Sequence, residues 1–133
     1  MPNPDHPSKP GHSGWKRLAK ATEYSLRGLR SAWRYEAAFR QECLAGVVLV
    51  PGAFVLGQTL VQTALLIAVG VLVLITELLN SAVEAAIDRM GGDHHDLAGR
   101  AKDMSSAAVA LSLVLLGVTW ALVALQRLTG AGG

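Results

Sequence analysis

No Asp, Glu, Lys or Arg occurs between Glu42 and Glu77, an interval of 34 residues, and none occurs between Asp103 and Arg127, an interval of 23 residues. One membrane-spanning helix needs about 17–25 predominantly apolar residues. The second interval therefore fits one span. The first is too long for one, and its middle, GQTLVQT (57–63), reads as a polar turn. Dividing it there predicts spans over about 38–57, 64–86 and 104–126. Pro51-Gly52 falls inside the first, where a kink is tolerated in a membrane. The fold class expected is an all-α integral-membrane protein with three transmembrane helices. The apolar run begins too far from Met1 for a signal peptide.

Eight of the 12 basic residues lie before residue 41, three lie between 89 and 102, and the last is Arg127. Basic residues concentrate on the cytoplasmic side of membrane proteins. This bias predicts a multi-pass membrane protein with a cytoplasmic N-terminus and a cytoplasmic loop over 87–103. Residues 1–14, MPNPDHPSKPGHSG, are rich in Pro and Gly and are expected to be a disordered tail. One membrane domain is expected over 15–127, followed by a short tail, 128–133. Within 15–35, Trp15, Leu18, Leu26, Leu29 and Trp33 fall on one helical arc, with Lys16, Lys20, Arg27, Arg30 and Arg34 on another. That pattern predicts an amphipathic helix lying in the membrane interface. A lone Cys43 excludes an internal disulfide and any multi-cysteine metal site.

Acids then appear where hydrocarbon should be. In TELLNSAVEAAIDR (76–89), with Glu77 at zero, Asn80 falls at about 300°, Glu84 at about 340° and Asp88 at about 20° around a helix. Four polar residues thus share one stripe. Ionisable groups within a span face a bundle interior or a cavity and commonly mark function. Two further stretches bear on the chemistry. GGDHHDLAGRAKD (91–103) supplies Arg100 and Lys102 as candidate phosphate ligands, although it is not a nucleotide-binding P-loop and no protein-kinase signature is present. Adjacent histidines rarely share one metal ion, so His94-His95 reads as part of a polar loop. EAAFRQE (36–42) places Glu36 and Glu42 at the mouth of the first span, where Glu36 can meet Glu84. Two carboxylates there suit Mg²⁺, which takes one or two carboxylates plus substrate phosphates.

EAAFRQE, ELLNSAVEAAIDR and GRAKDM together resemble the prokaryotic diacylglycerol kinase family of small integral-membrane lipid kinases, in its Gram-negative form. The resemblance covers about residues 15–126. It implies a homotrimer whose active sites are shared between subunits, with ATP and diacylglycerol as substrates, Mg²⁺ as cofactor, membrane lipid as surroundings and no nucleic-acid partner. Glu77 corresponds to the catalytic base, and Glu36 and Glu84 to the metal-binding acids. Arg17, Tyr24, Glu36, Glu84, Asp93, His94, His95, Lys102 and Asp103 match ATP-contacting positions. Arg17, Arg30, Ser31, Ala32, Trp33, Glu77 and Ser106 match lipid-substrate positions, while Asn80 and Asp88 support the site. Ser105-Ser106 and Leu26-Arg27 stand where Gly-Ser and Trp-Lys are common in the family. An undecaprenol kinase of the same fold is the nearest alternative. A non-catalytic transmembrane bundle, channel or scaffold, is an alternative of a different class.

Overall fold

The computed structural model describes residues 14–91 and 96–130. Four helices account for nearly all of them: α1 (Gly14–Tyr35), α2 (Ala37–Leu56), α3 (Leu60–Arg89) and α4 (Asp96–Thr129). No strand occurs among the described residues. The last three helices are each long and apolar enough to cross a membrane. The expected residues 1–13 of the N-terminal tail, the 92–95 segment and the last three residues lie outside the described residues.

Each corner is built by local chemistry. Between α1 and α2, Glu36 alone is extended, with φ −105° and ψ 109°. The Arg40 guanidinium reaches back from α2 and donates to the carbonyls of Trp33 (2.9 Å) and Arg34 (3.2 Å). Those carbonyls end α1 and have no partner within it, so the arginine caps one helix while standing on the next. The turn between α2 and α3 is shorter than the seven residues expected for it. Thr59 accepts from the Gln62 backbone N–H at 3.1 Å, and the Gln62 side chain accepts from the Gln58 N–H at 2.9 Å. This reciprocal arrangement, close to a capping box, starts the helix at Leu60 and leaves only residues 57–59 outside it. Gly57 is required by close approach. A Cβ there would lie 2.4 Å from Thr63 Oγ1 and 2.9 Å from the Ala53 carbonyl oxygen. At the other end of α3, Gly91 takes φ +69°, the left-handed value that stops helices and favours glycine.

α4 corrects the expected 87–103 loop. The chain is helical again from Asp96, so the AGRAKD stretch forms the first turns of a 34-residue helix rather than a loop. Ala98, Ala101, Lys102 and Met104 favour helix intrinsically, and an acid in the first turn suits the positive end of the helix dipole. α2 likewise runs through Pro51 without ending.

α3 is the spine. It packs most extensively on α4 and next on α2, while α1 touches α2. At the end near the 57–59 turn, Ala53, Leu66 and Val123 form the buried core, flanked by Leu56, Ile67 and Trp120. Gly52 admits the Trp120 ring, which would stand 3.4 Å from a Cβ at that position. Polar rungs fix the antiparallel register of α3 and α4. Gln62 donates to Gln126 (3.1 Å), Thr76 pairs with Ser112 (2.9 Å), Ser105 donates to Asn80 (2.7 Å), and Lys102 bonds Asp88 (2.8 Å). Inter-helix hydrogen bonds of this kind average about 0.6 kcal/mol each in a membrane. Their contribution is therefore register more than raw stability. Arg127 closes the far end, donating to the Val55 and Leu56 carbonyls at the end of α2. Leu44, Val47, Val48, Phe54, Leu111, Val114 and Leu122 remain exposed. In water such an apolar surface would drive association, whereas against lipid tails it needs no cover.

Candidate functional site

Helix length decides where the acids sit. α2 has 20 residues, about 30 Å at 1.5 Å per residue, which matches the hydrocarbon thickness of a bilayer. Because the turn after it is so short, α3 starts at the same level as α2 ends. Along α3, Glu77 then lies about 26 Å from the helix start, just inside the hydrocarbon. Glu84 lies about 36 Å along and is clear of it. Glu36, at the opening of α2, stands about 30 Å up, between those two levels. Carboxylates from two helices thus meet at one rim of the apolar slab, with one of them sunk below it.

The side-chain geometry follows this order. Glu77 is only 6% exposed. Asn80 joins the helices. Its Oδ1 accepts from the Ser105 hydroxyl of α4 at 2.7 Å, and its Nδ2 donates to Glu84 Oε1 at 3.2 Å. The Ser105 hydroxyl oxygen also lies 2.9 Å from the Lys102 carbonyl, an alternative acceptor for its one hydrogen. The amide is therefore held from one side and orients a carboxylate on the other. At the outer edge, Lys102 Nζ contacts Asp88 Oδ1 at 2.8 Å, with the lysine side chain partly covered and the aspartate mostly exposed. An acid of α3 and a base of α4 thereby meet at the mouth of the site.

On the α1 side, Glu36, Ser31, Ala32 and Ser81 line a cleft of about 530 Å³ between α1 and α3. Ala32 is buried there, whereas Arg17, Tyr24, Arg30 and Trp33 are exposed. The Arg27 guanidinium lies over the Tyr24 ring at 4.8 Å. Asp103 and Ser106 are exposed on α4. Asp93, His94 and His95 lie outside the described residues. The arrangement therefore brings Glu36, Glu77, Asn80, Glu84, Asp88 and Lys102 to one end of the bundle.

Two features escape a reading of the sequence, and for a third, Glu42, the sequence shows the position but not the burial. Ser105 reads as a small residue at a helix contact, yet it supplies the hydroxyl that positions Asn80. Arg40 reads as one more cytoplasmic base, yet it caps α1 and so fixes the corner carrying Glu36. Glu42 holds a buried Oε2 with no hydrogen-bond partner and faces an apolar groove lined by α2, α3 and α4. Only Glu42 had a visible signal: it is the last charge before the 34-residue interval.

Among the described residues, no three His, Cys, Asp or Glu side chains converge as a ready-made metal cage. The site offers instead a few hard oxygen donors facing a cleft, with a cation at its edge. Fold and site together define a helical membrane protein whose polar centre lies at one membrane surface.

Comparison with known proteins makes the assignment specific. The family model for prokaryotic diacylglycerol kinase matches residues 23–124. The chain is 51% identical over 115 residues to a diacylglycerol kinase of Pseudomonas aeruginosa, covering 86% of this chain and 94% of the relative. It is 47% identical over 111 residues to that of Escherichia coli K12, covering 84% and 91%, and 46% identical over 108 residues to that of Haemophilus influenzae, covering 81% and 92%. The chain belongs to the prokaryotic diacylglycerol kinase family.

Proposed function

We propose that the chain transfers the γ-phosphoryl group of ATP directly to the primary hydroxyl of 1,2-diacylglycerol, giving phosphatidate and ADP at the cytoplasmic face of the bacterial inner membrane. The observation that carries this reading is the order along α3: Glu77, only 6% exposed, lies about two turns nearer the apolar middle of the helix than Glu84, with Glu36 at the opening of α2. A diacylglycerol keeps its hydroxyl near the membrane surface while its acyl chains stay in the slab. ATP approaches from water. A site linking them needs its proton acceptor on the lipid side and its charge-handling groups on the water side.

Phosphoryl transfer relies on positioning and electrostatic stabilisation more than on covalent help from the protein. Glu77 accepts the proton of the attacking hydroxyl as the new O–P bond forms and the bond from the γ-phosphorus to the β–γ bridging oxygen breaks. Burial keeps water from competing for that proton acceptor. Lys102, with Arg17 and Asp103, binds the nucleotide, joined by Tyr24 and the Asp93–His95 segment. Arg30 to Trp33 and Ser106 contact the lipid. Asn80 holds Glu84 in orientation, and Asp88 holds Lys102. The donor set at the rim fits Mg²⁺, which completes its shell with phosphate oxygens and water rather than with a protein cage. Glu36 and Glu84 would hold it, and when bound it neutralises charge on the phosphates.

The apolar outer faces of α2 and α4 and the placement of acids near lipid favour a homotrimer. Nine spans can enclose polar groups that three leave close to hydrocarbon. The basic and aromatic faces of α1 suit a helix lying on the inner leaflet with the N-terminus cytoplasmic.

The test is phosphatidate formation from ATP in mixed micelles, by wild type and by Glu77→Gln. Wild type is expected to turn over only with Mg²⁺ and a diacylglycerol, and to prefer it over undecaprenol in a lipid panel. Glu77→Gln is expected to lose turnover while keeping its helical circular dichroism and its size in detergent. Retained turnover in that variant would remove the role given to Glu77.

A further inference from the structure

We propose that Ser81 is a lipid-substrate-binding residue, its hydroxyl hydrogen-bonding the glycerol–ester region of the diacylglycerol held between α1 and α3. This inference rests on the phosphoryl-transfer reading above. Most hydroxyls within these helices find a backbone partner, and Ser31 and Ser106, which do not, are exposed to solvent. Thr22, Ser25, Ser112 and Thr119 each donate to a carbonyl three or four residues earlier. Ser81 does not. Its Oγ is buried and has no hydrogen-bond partner. A buried polar atom left unpaired costs about 1–3 kcal/mol, so native structures rarely keep one without a use.

Its position suggests the use. Ser81 follows Glu77 by four residues and precedes Glu84 by three, so all three share one face of α3. It sits about 6 Å further along the axis than Glu77, toward the membrane surface. It also lines the cleft of about 530 Å³ between α1 and α3. A single χ1 rotation redirects a serine hydroxyl.

The chemistry of the cleft selects the ligand. Gly28, Ala32, Ala82 and Ala85 keep the two helices from filling it, and Leu29 and Leu78 make its walls apolar. Among the described residues lining it there is no Lys or Arg, and Glu36 contributes an acid. Glu36 would reach a nucleotide only through Mg²⁺, and the rest of the lining gives a triphosphate no counter-charge. A neutral lipid alcohol needs none, and a hydroxyl that both donates and accepts suits its ester carbonyls and its own hydroxyl. The distance to Glu77 leaves the reacting hydroxyl to the carboxylate and the neighbouring ester oxygens to Ser81.

The experiment compares wild type, Ser81→Ala and Ser81→Thr in detergent, using dioctanoylglycerol as the probe. Steady-state kinetics yields KM for dioctanoylglycerol, KM for MgATP and kcat, and native mass spectrometry yields equilibrium binding of dioctanoylglycerol without ATP. Ser81→Ala is expected to raise KM for the lipid and weaken its binding about fivefold, the effect of one neutral hydrogen bond. KM for MgATP should hold, and Ser81→Thr should restore lipid affinity by returning the hydroxyl. Unchanged lipid KM and binding in Ser81→Ala would overturn the inference. So would an equal loss in both variants, a rise confined to the MgATP KM, or a wild type that binds no dioctanoylglycerol. A wild type that binds dioctanoylglycerol but never phosphorylates it would sink the kinase reading instead, with the binding comparison still deciding Ser81.

Discussion

Replacing Asn80 by Ala separates orientation from chemistry. The amide makes two bonds, accepting from Ser105 at 2.7 Å and donating to Glu84 at 3.2 Å. The two losses are unequal. Ser105 keeps its second acceptor, the Lys102 carbonyl, so its hydroxyl is not orphaned. An inter-helix hydrogen bond in a membrane averages about 0.6 kcal/mol, so the thermal midpoint in detergent should fall only slightly. Glu84 loses a hydrogen bond to a charged group, typically worth about 1.5–3 kcal/mol. If that bond orients the carboxylate toward nucleotide-bound Mg²⁺, kcat/KM for MgATP should drop by about 10- to 150-fold. KM for diacylglycerol should be nearly unchanged. The assay is phosphatidate formation at saturating lipid with MgATP varied, run as a double-mutant cycle with Glu84→Gln. Because Asn80 acts through Glu84, Asn80→Ala should cost little more in the Glu84→Gln background. Full additivity of the two losses, or a defect confined to the lipid KM, would refute the orienting role.

Three further outcomes are expected. Gly57→Ala forces a Cβ to within 2.4 Å of Thr63 Oγ1, and overpacking of this kind costs about 1–3 kcal/mol, so unfolding in detergent should begin at lower temperature while both KM values hold. Asp88→Asn should leave thermal stability almost unaltered, because a largely exposed ion pair contributes about 0–1 kcal/mol. Lys102→Met, by contrast, should raise KM for MgATP at least tenfold, about 1.4 kcal/mol, with lipid KM unaffected, as read from nucleotide titrations.

Much of the architecture is legible in charge alone. Two long intervals without an ionised residue define three spans, because charge in hydrocarbon is costly and therefore rare. The stripe from Glu77 to Asp88 is legible because helical periodicity is local. What stays hidden depends on partners far apart in the chain or on capping. GQTLVQT looks uniformly polar, yet Thr59 and Gln62 use their side chains to begin a helix rather than to prolong a turn. GGDHHDLAGRAKD has the composition of a loop, yet from Asp96 onward it is helical, and the Asp88–Lys102 contact that follows from this pairs residues 14 apart. Ser105 illustrates the limit best. Its side chain is as suited to close helix packing as to hydrogen bonding, and only the register of α4 against α3 selects the second.

The three-residue connection at the far membrane surface leaves no slack between α2 and α3. The height of Glu77 is consequently counted off in residues from that opposite surface, not adjusted at its own. Bilayer thickness therefore acts on this enzyme as a setting. A membrane a few ångströms thinner would lift the carboxylate toward water, a thicker one would draw Glu84 and Glu36 down into oil, and turnover should peak at an intermediate acyl-chain length of the host lipid.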